Sequence, residues 1–300
     1  MAGRRFTGSL VALITPFMAD NPGELDEAAL RALVDYHVRN GTDGLVPCGT
    51  TGESVTLEES EHERVVRIVV EQAAGRVPVI AGAGTNSTAK SIKLAKLAKS
   101  AGADASLVVT PYYNKPTQQG LYLHYEAIAK ATDLPIVVYN VPTRTSVNLL
   151  PETLARLAKL DTVVAVKEAS GSLDQVTQIV ELCGPDFAVL SGDDSLTLPM
   201  MAVGGVGVIS VIANITPSAT AEMVRAFRAG DTARARELHH ALFPLTKALF
   251  SETNPIPVKT AAGILGLCSP TLRLPMCPMG DATRAKLEAE LRACELVQRL

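Results

Sequence analysis

Val163-Val164-Ala165-Val166-Lys167 is an apolar run of β-favouring and small residues that ends on a lysine. Such a run reads as a strand buried on both faces, the kind found in parallel sheets covered by helices. Lys167 then stands at the C-terminal end of its strand, where α/β barrels gather their chemistry, and it becomes a candidate nucleophile. The bland alternative is a lysine that turns to solvent or pairs with Glu168. The other lysines act as controls. Lys90, Lys93, Lys96 and Lys99 share one helical face, Lys130 and Lys159 lie near helix ends, and Lys286 belongs to a charged terminal helix. Only Lys167 closes a long apolar run. A free lysine, with a pKa of about 10.4, is neutral for only about four parts in ten thousand at pH 7. Burial disfavours the ammonium and lowers that pKa, and Val164 and Val166 are placed to provide it.

Three loops could complete a site around this amine. Gly49-Thr50-Thr51-Gly52-Glu53 joins two flexible glycines to two hydroxyls and a run of backbone N–H groups. That composition suits a small carboxylate held without a competing cation near the amine. It equally suits a tight turn whose threonines cap a helix starting near Leu57. Tyr139 closes the strand before that of Lys167, and neighbouring strands lie about 4.8 Å apart. Its phenol could shuttle protons for a carbinolamine, or could simply be satisfied by backbone. Arg144, in Tyr139-Asn140-Val141-Pro142-Thr143-Arg144-Thr145, could clamp a second carboxylate or be a surface arginine. Thr110-Pro111-Tyr112-Tyr113-Asn114-Lys115-Pro116 suits an active-site wall or an interface, and the enrichment of tyrosine at interfaces favours the latter.

Other chemistries find no support. His37, His62, His124, His239 and His240 all fall in helical patterns rather than at strand ends, so a metal-dependent aldolase lacks its ligands and no metal is expected. The stretch from Phe187 to Val224 holds no lysine or arginine, while Asp193 and Asp194 follow the seventh strand, which is unsuited to the phosphate site many barrels build there. Gly205-Val206-Gly207 lies at or inside a strand, not in a strand-to-helix turn, so it reads as close packing and not as a dinucleotide motif. A net charge of −3 argues against nucleic acid or an anionic membrane as partner. Cys48, Cys183, Cys268, Cys277 and Cys294 form no C-x-x-C pair, which points to neither disulfides nor zinc and fits a reducing cytoplasm. Arg4 and Arg5 precede a short apolar run, but no small-residue cleavage site follows it. No stretch approaches the ~20 apolar residues of a membrane span.

The elements that must position these residues alternate along the chain. Strands are expected at about 10–14, 44–47, 77–81, 105–109, 135–139, 163–167, 187–190 and 206–210, separated by helical stretches. The first helix is capped by Asp26 and turns Leu30, Leu33, Val34 and Tyr36 to a core. Eight such units in 300 residues most simply close into a (β/α)₈ TIM barrel over residues 1–230. A doubly wound sheet would call for a dinucleotide loop after its first strand, and Thr15-Pro16-Phe17 is not one. From Asp231 the pattern is helical only, at about 232–249, 257–265 and 281–298. Residues 231–300 are therefore expected to form a C-terminal helical extension packed on the barrel.

Taken together, Gly49 to Glu53, Tyr112-Tyr113, Tyr139 to Thr145, Lys167 and Asn254-Pro255-Ile256-Pro257-Val258-Lys259 resemble the dihydrodipicolinate synthase and N-acetylneuraminate lyase family over nearly the whole chain. The resemblance implies a Schiff-base lyase that condenses pyruvate with an aldehyde and needs no separate cofactor. By that likeness Lys167 carries the Schiff base, Tyr139 relays protons, and Thr50 and Thr51 hold the pyruvate carboxylate. Thr50 also links Tyr139 to Tyr113 of a neighbouring subunit, so the assembly would be at least a dimer, and commonly a tetramer. Gly192 and Ile209 match positions that approach substrate through backbone. Thr50 and Arg144 look like the synthase branch, with Arg144 on the carboxylate of aspartate β-semialdehyde in the diaminopimelate route to lysine. A sialic-acid or keto-deoxy sugar-acid aldolase is the near alternative, and a non-catalytic keto-acid binder is the distant one. Tyr112, Asn86 and His62 match a lysine effector site, but Glu59 and Lys90 stand where sensitive members often carry histidine and glutamate. Lys90 sets a cation where the effector's ammonium would bind, so weak or absent inhibition is expected.

Overall fold

Eight parallel strands are laid down in chain order: β1 Gly8–Ala12, β2 Gly44–Val46, β3 Ile80–Gly82, β4 Ala105–Val109, β5 Ile136–Asn140, β6 Val163–Glu168, β7 Ala188–Ser191 and β8 Gly207–Ser210. The computed structural model describes residues 6–297, so Arg4, Arg5 and Gln298 lie outside the described residues. Hydrogen bonding runs β2-β1-β8-β7-β6-β5-β4-β3, and a parallel bridge between Leu45 and Val79 brings β2 to β3 and closes the ring. The result is a (β/α)₈ TIM barrel. A helix lies between each pair of successive strands, as parallel crossovers require.

Alternation along the strands separates two layers. Leu10, Ala12, Val46, Ile80, Leu107, Val137, Ala165, Leu190 and Ile209 fill the barrel interior together with Tyr139. Ile136, Val138, Val163 and Val166 face outward, packing with Leu121, Tyr125, Ile128, Leu154 and Ile179 of the surrounding helices. Val166 therefore does not shield Lys167 as its neighbouring position suggests, because successive strand side chains point to opposite faces. Val164 does belong to the interior. A register irregularity between Ile136 and Val137 sets Tyr139 opposite Lys167 on the adjoining strand.

The first helix, Glu27–Arg39, begins where Asp26 accepts a hydrogen bond from the Ala29 N–H, and Leu30, Leu33, Val34 and Tyr36 are buried. After the loop that follows β2, the next helix starts at Glu59. Its cap is a reciprocal box of Glu58 and Glu61 rather than a threonine.

The C-terminal extension begins with a helix at Thr232–Leu249, capped by Asp231. Leu238, Leu242, Leu245 and Leu249 make one apolar stripe on it. They enter the same cluster as Val11, Leu13, Ile14 and Leu30 of the barrel, together with Ile256, Val258, Leu287 and Leu291. Burying each such side chain contributes about 1.5–3 kcal/mol, which makes this an extensive junction. A second helix covers Ile256–Ile264 and a third Asp281–Ala293. The third ends before the expected boundary, and Cys294 at its C-terminus has left the helical region.

Candidate active site

Lys167 is the penultimate residue of β6 and is only 5 % exposed. Its Nζ lies 4.4 Å from the centroid of the Tyr139 ring. Burial pulls its pKa down from 10.5 to about 8, against the upward pull of the Asp194 carboxylate, while the Arg144 charge pushes it further down. Glu168 is not its partner. That carboxylate is turned into a buried network, accepting from Asn140 Nδ2 at 3.0 Å and from the Ser170 N–H at 2.7 Å. An amine placed this way is largely desolvated and has a usable neutral fraction near neutral pH.

Gly192 makes the room Lys167 needs. A Cβ at that position would stand 3.2 Å from both Cγ and Cε of Lys167 and 2.8 Å from the Ala169 Cβ. A larger residue would press on the Ala169 and Lys167 side chains, which would have to shift.

The loop after β2 is held in a restricted shape. Cys48 and Glu53, which flank it, both have positive φ, 55° and 53°. Left-handed backbone costs a non-glycine residue on the order of 1 kcal/mol, so surrounding contacts must hold it. They do so from the C-terminal extension. Glu53 Oε1 meets Lys259 Nζ at 2.5 Å with both side chains buried, and Glu53 Oε2 accepts from the Arg273 N–H at 3.1 Å. The ring of Phe17 meets both cations, its centroid 4.0 Å from Lys259 Nζ and 4.2 Å from the Arg273 guanidinium carbon. Thr51 is buried and accepts from Asn254 Nδ2 at 3.0 Å.

Two cavity lobes open at the C-terminal mouth of the barrel. One, of about 330 Å³, holds Lys167, Thr51, Gly192, Asp193 and Ser195. The other, of about 250 Å³, is lined by Tyr112, Glu53, Leu107, Val109 and Met276. Thr50, Tyr139, Val141, Arg144 and Asn254 belong to both. Burial raises the Tyr139 pKa, opposed by the Arg144 charge and the neighbouring Thr50 hydroxyl, so the phenol is protonated and able to donate. Arg144 is exposed overall, yet its guanidinium reaches over the cavity and donates to the Asn254 carbonyl at 3.2 Å. The assembly of an amine, a phenol, hydroxyls and a guanidinium around one cavity can bind a carboxylate, attack a carbonyl and move protons.

Lys167, Tyr139, Thr50, Thr51, Arg144 and Gly192 are thus brought together. Ile209 is buried in the barrel interior, and Val211, two residues on, lines the cavity. Tyr113 is 88 % exposed with φ 75° and lines neither lobe, although Tyr112 lines one. Of the remaining residues, Asn86, Glu59 and Lys90 are exposed. His62 is buried, its Nε2 2.7 Å from the Gly82 carbonyl oxygen, and Glu59 pairs with Lys93 at 2.7 Å. Among the described residues no group of three or more His, Cys, Asp or Glu side chains could hold a metal ion, and no helix is long and apolar enough to cross a membrane.

The sequence places Asp194 after the seventh strand but gives it no role at the amine, and Asn254 and Lys259 escape the strand-end reading altogether. Asp194 is buried, and its Oδ2 accepts from the N–H groups of Val211 and Ile212 at 2.9 and 3.1 Å. Asn254 and Lys259 lie far along the chain in the extension. A signal for Lys259 was present, since it sits on a short helix whose other residues are apolar apart from Thr260, and such helices are buried.

Comparison with known proteins agrees with this geometry. The chain is 60% identical over 287 residues to a 4-hydroxy-tetrahydrodipicolinate synthase of Thermomicrobium roseum, covering 96% of this chain and 94% of that one. To the protein of the same name from Pelobacter propionicus it is 56% identical, covering 97% and 100%. The crystal structure of dihydrodipicolinate synthase from Aquifex aeolicus superposes with a TM-score of 0.94 at 51% identity, over 97% of this chain and 99% of that one. The model of the dihydrodipicolinate synthetase family matches residues 5–294. A barrel whose β6 lysine lies over a tyrosine on β5 is thereby given its lineage, and the chain belongs to the dihydrodipicolinate synthetase family.

Proposed function

We propose that this protein is a 4-hydroxy-tetrahydrodipicolinate synthase, condensing pyruvate with L-aspartate β-semialdehyde through a Schiff base on Lys167. The observation that carries the reading is the buried amine of Lys167 against Tyr139, with Arg144 over the same cavity. Pyruvate enters with its carboxylate toward Thr50, Thr51 and the backbone N–H groups of their loop. Neutral Lys167 attacks the keto carbon, and the Tyr139 phenol delivers a proton to the oxygen, giving a carbinolamine. Loss of water leaves an iminium, and loss of a methyl proton gives the enamine. The enamine carbon adds to the aldehyde of the second substrate, whose carboxylate faces Arg144. The amino group of that substrate then attacks the iminium carbon, closes the ring and releases Lys167 as an amine. One water leaves overall, and no cofactor besides the lysine is required.

The same reading makes the assembly a homo-oligomer, at least a dimer and by family likeness a tetramer, working in the cytoplasm. Tyr113 supports it, since an exposed tyrosine in left-handed backbone outside its own chain's cavity is available to a neighbouring copy.

The test is pyruvate consumption by purified protein supplied with aspartate β-semialdehyde, beside a Lys167→Ala control, with borohydride trapping of the pyruvate adduct. Consumption by the parent only, and an adduct at Lys167, are expected. A trapped adduct without consumption would move the assignment to the sugar-acid aldolases. Absence of an adduct in folded protein would leave a keto-acid binder.

A further inference from the structure

Asn254 touches both carboxylate-directed elements of the site, Thr51 and Arg144. It is nine-tenths buried and borders both cavity lobes. Its side-chain Nδ2 donates to Thr51 Oγ1 at 3.0 Å, while its main-chain oxygen accepts from the Arg144 guanidinium at 3.2 Å. Its side-chain Oδ1 is buried without a hydrogen-bond partner.

We propose that Asn254 is a positioning residue for carboxylate recognition, its amide fixing the direction of the Thr51 proton and its carbonyl fixing Arg144. The inference rests on the pyruvate reading and specifies how that site is set. A hydroxyl has one proton and two lone pairs. Because Thr51 Oγ1 accepts from Asn254, its proton is directed elsewhere, and the cavity is where a ligand carboxylate would take it. The flipped amide would do the opposite: Oδ1 would capture the Thr51 proton and turn hydroxyl lone pairs toward an acceptor-only anion. Leaving Oδ1 unpaired carries a desolvation penalty, and it is the orientation in which Thr51 is a donor. The main-chain contact acts on the second carboxylate. Arg144 is exposed and carries many rotamers, and a bond to a buried residue's carbonyl restricts them. One residue of the extension thus aligns the donors for both substrates.

The experiment is a double-mutant cycle on the full chain, using Asn254→Ala and Thr51→Val. Its readout is the pyruvate concentration that gives half-maximal borohydride trapping at Lys167. Trapping at saturating pyruvate and the thermal midpoint report whether each variant is folded and reactive. We expect Asn254→Ala to raise the half-maximal concentration about fivefold, as loss of one oriented hydrogen bond would. In the Thr51→Val background the same change should have less than about a twofold effect, because the hydroxyl it orients is gone. Additive effects of the two changes would overturn the proposal, as would loss of trapping at saturation without a change in half-maximal concentration. A parent that traps no pyruvate would overturn the functional reading and this inference with it. Normal trapping by the parent beside an additive cycle would overturn the inference alone.

Discussion

The amine of Lys167 lies over the ring of Tyr139, 4.4 Å from its centroid, and the two residues are register partners on adjoining strands. A cation over a tyrosine ring is favoured by ~0.5–2 kcal/mol, which alone would keep the ammonium. Burial outweighs it, since the pKa falls from 10.5 to about 8. Borohydride trapping of pyruvate should therefore accelerate with pH and level off above about 8.

The same shift has a sign for stability. Between pH 8 and 10.5 the unfolded chain holds the proton and the folded one does not, so stability rises with pH there and the cost of the buried charge is fully present below 8. That cost is on the order of 3 kcal/mol at ~1.4 kcal/mol per unit. Lys167→Leu should be more stable than the parent by ~1–3 kcal/mol at pH 7, with the gain shrinking toward pH 10, in urea unfolding at both values.

Asp194 opposes the burial effect by raising the Lys167 pKa. Asp194→Asn keeps an oxygen that can accept from Val211 and Ile212 while removing the charge. Its trapping profile should level off at a lower pH than the parent's, by about half a unit or more. An unmoved profile would show that the carboxylate acts only on the loop.

Arg144→Lys keeps a charge but loses the planar fork. The expected result is a fall of about 10- to 100-fold in kcat/KM for aspartate β-semialdehyde, with pyruvate trapping within about threefold of the parent. Equal losses for both substrates would instead make Arg144 part of the pyruvate site.

The Glu53 and Lys259 side chains are fully removed from water as a pair. Removing one partner strands the other charge, and Lys259→Met should cost ~3–5 kcal/mol. Glu53→Gln combined with Lys259→Met should cost much less than the two single changes together, as measured by denaturant midpoints.

Glu59 is engaged with Lys93, and Lys90 is exposed on the same helix as Lys93. At the effector site that the family likeness implies, the exposed Lys90 disfavours a ligand's ammonium. Free lysine at millimolar concentration should inhibit the synthase reaction weakly or not at all, and Lys90→Glu should increase whatever inhibition exists. Strong inhibition of the parent would remove this argument.

Much of the architecture is visible in the residues because its signals are local. The apolar run ending on Lys167, the cap at Asp26 and the helix at 232–249 each depend on neighbours a few positions away, and their boundaries lie within a residue or two of those expected. Val166 shows where local reading stops. Adjacency in sequence places it next to the amine, while the pleat sends it to the helices. Asn254 and Lys259 illustrate a deeper limit. Their meaning lies in Thr51 and Glu53, 203 and 206 residues away, and nothing in a helical periodicity specifies a partner at that distance.

The contacts at Thr51 and Glu53 also impose a schedule on the making of the protein. The loop proposed to receive the carboxylate is synthesised about 200 residues before Asn254, Lys259 and Arg273, which hold it. A nascent chain already carries Lys167 and Tyr139 long before its loop is fastened. On the proposed function, such a chain has an amine but no fixed anion site, so it has little hold on keto acids until Asn254 and Lys259 have been made.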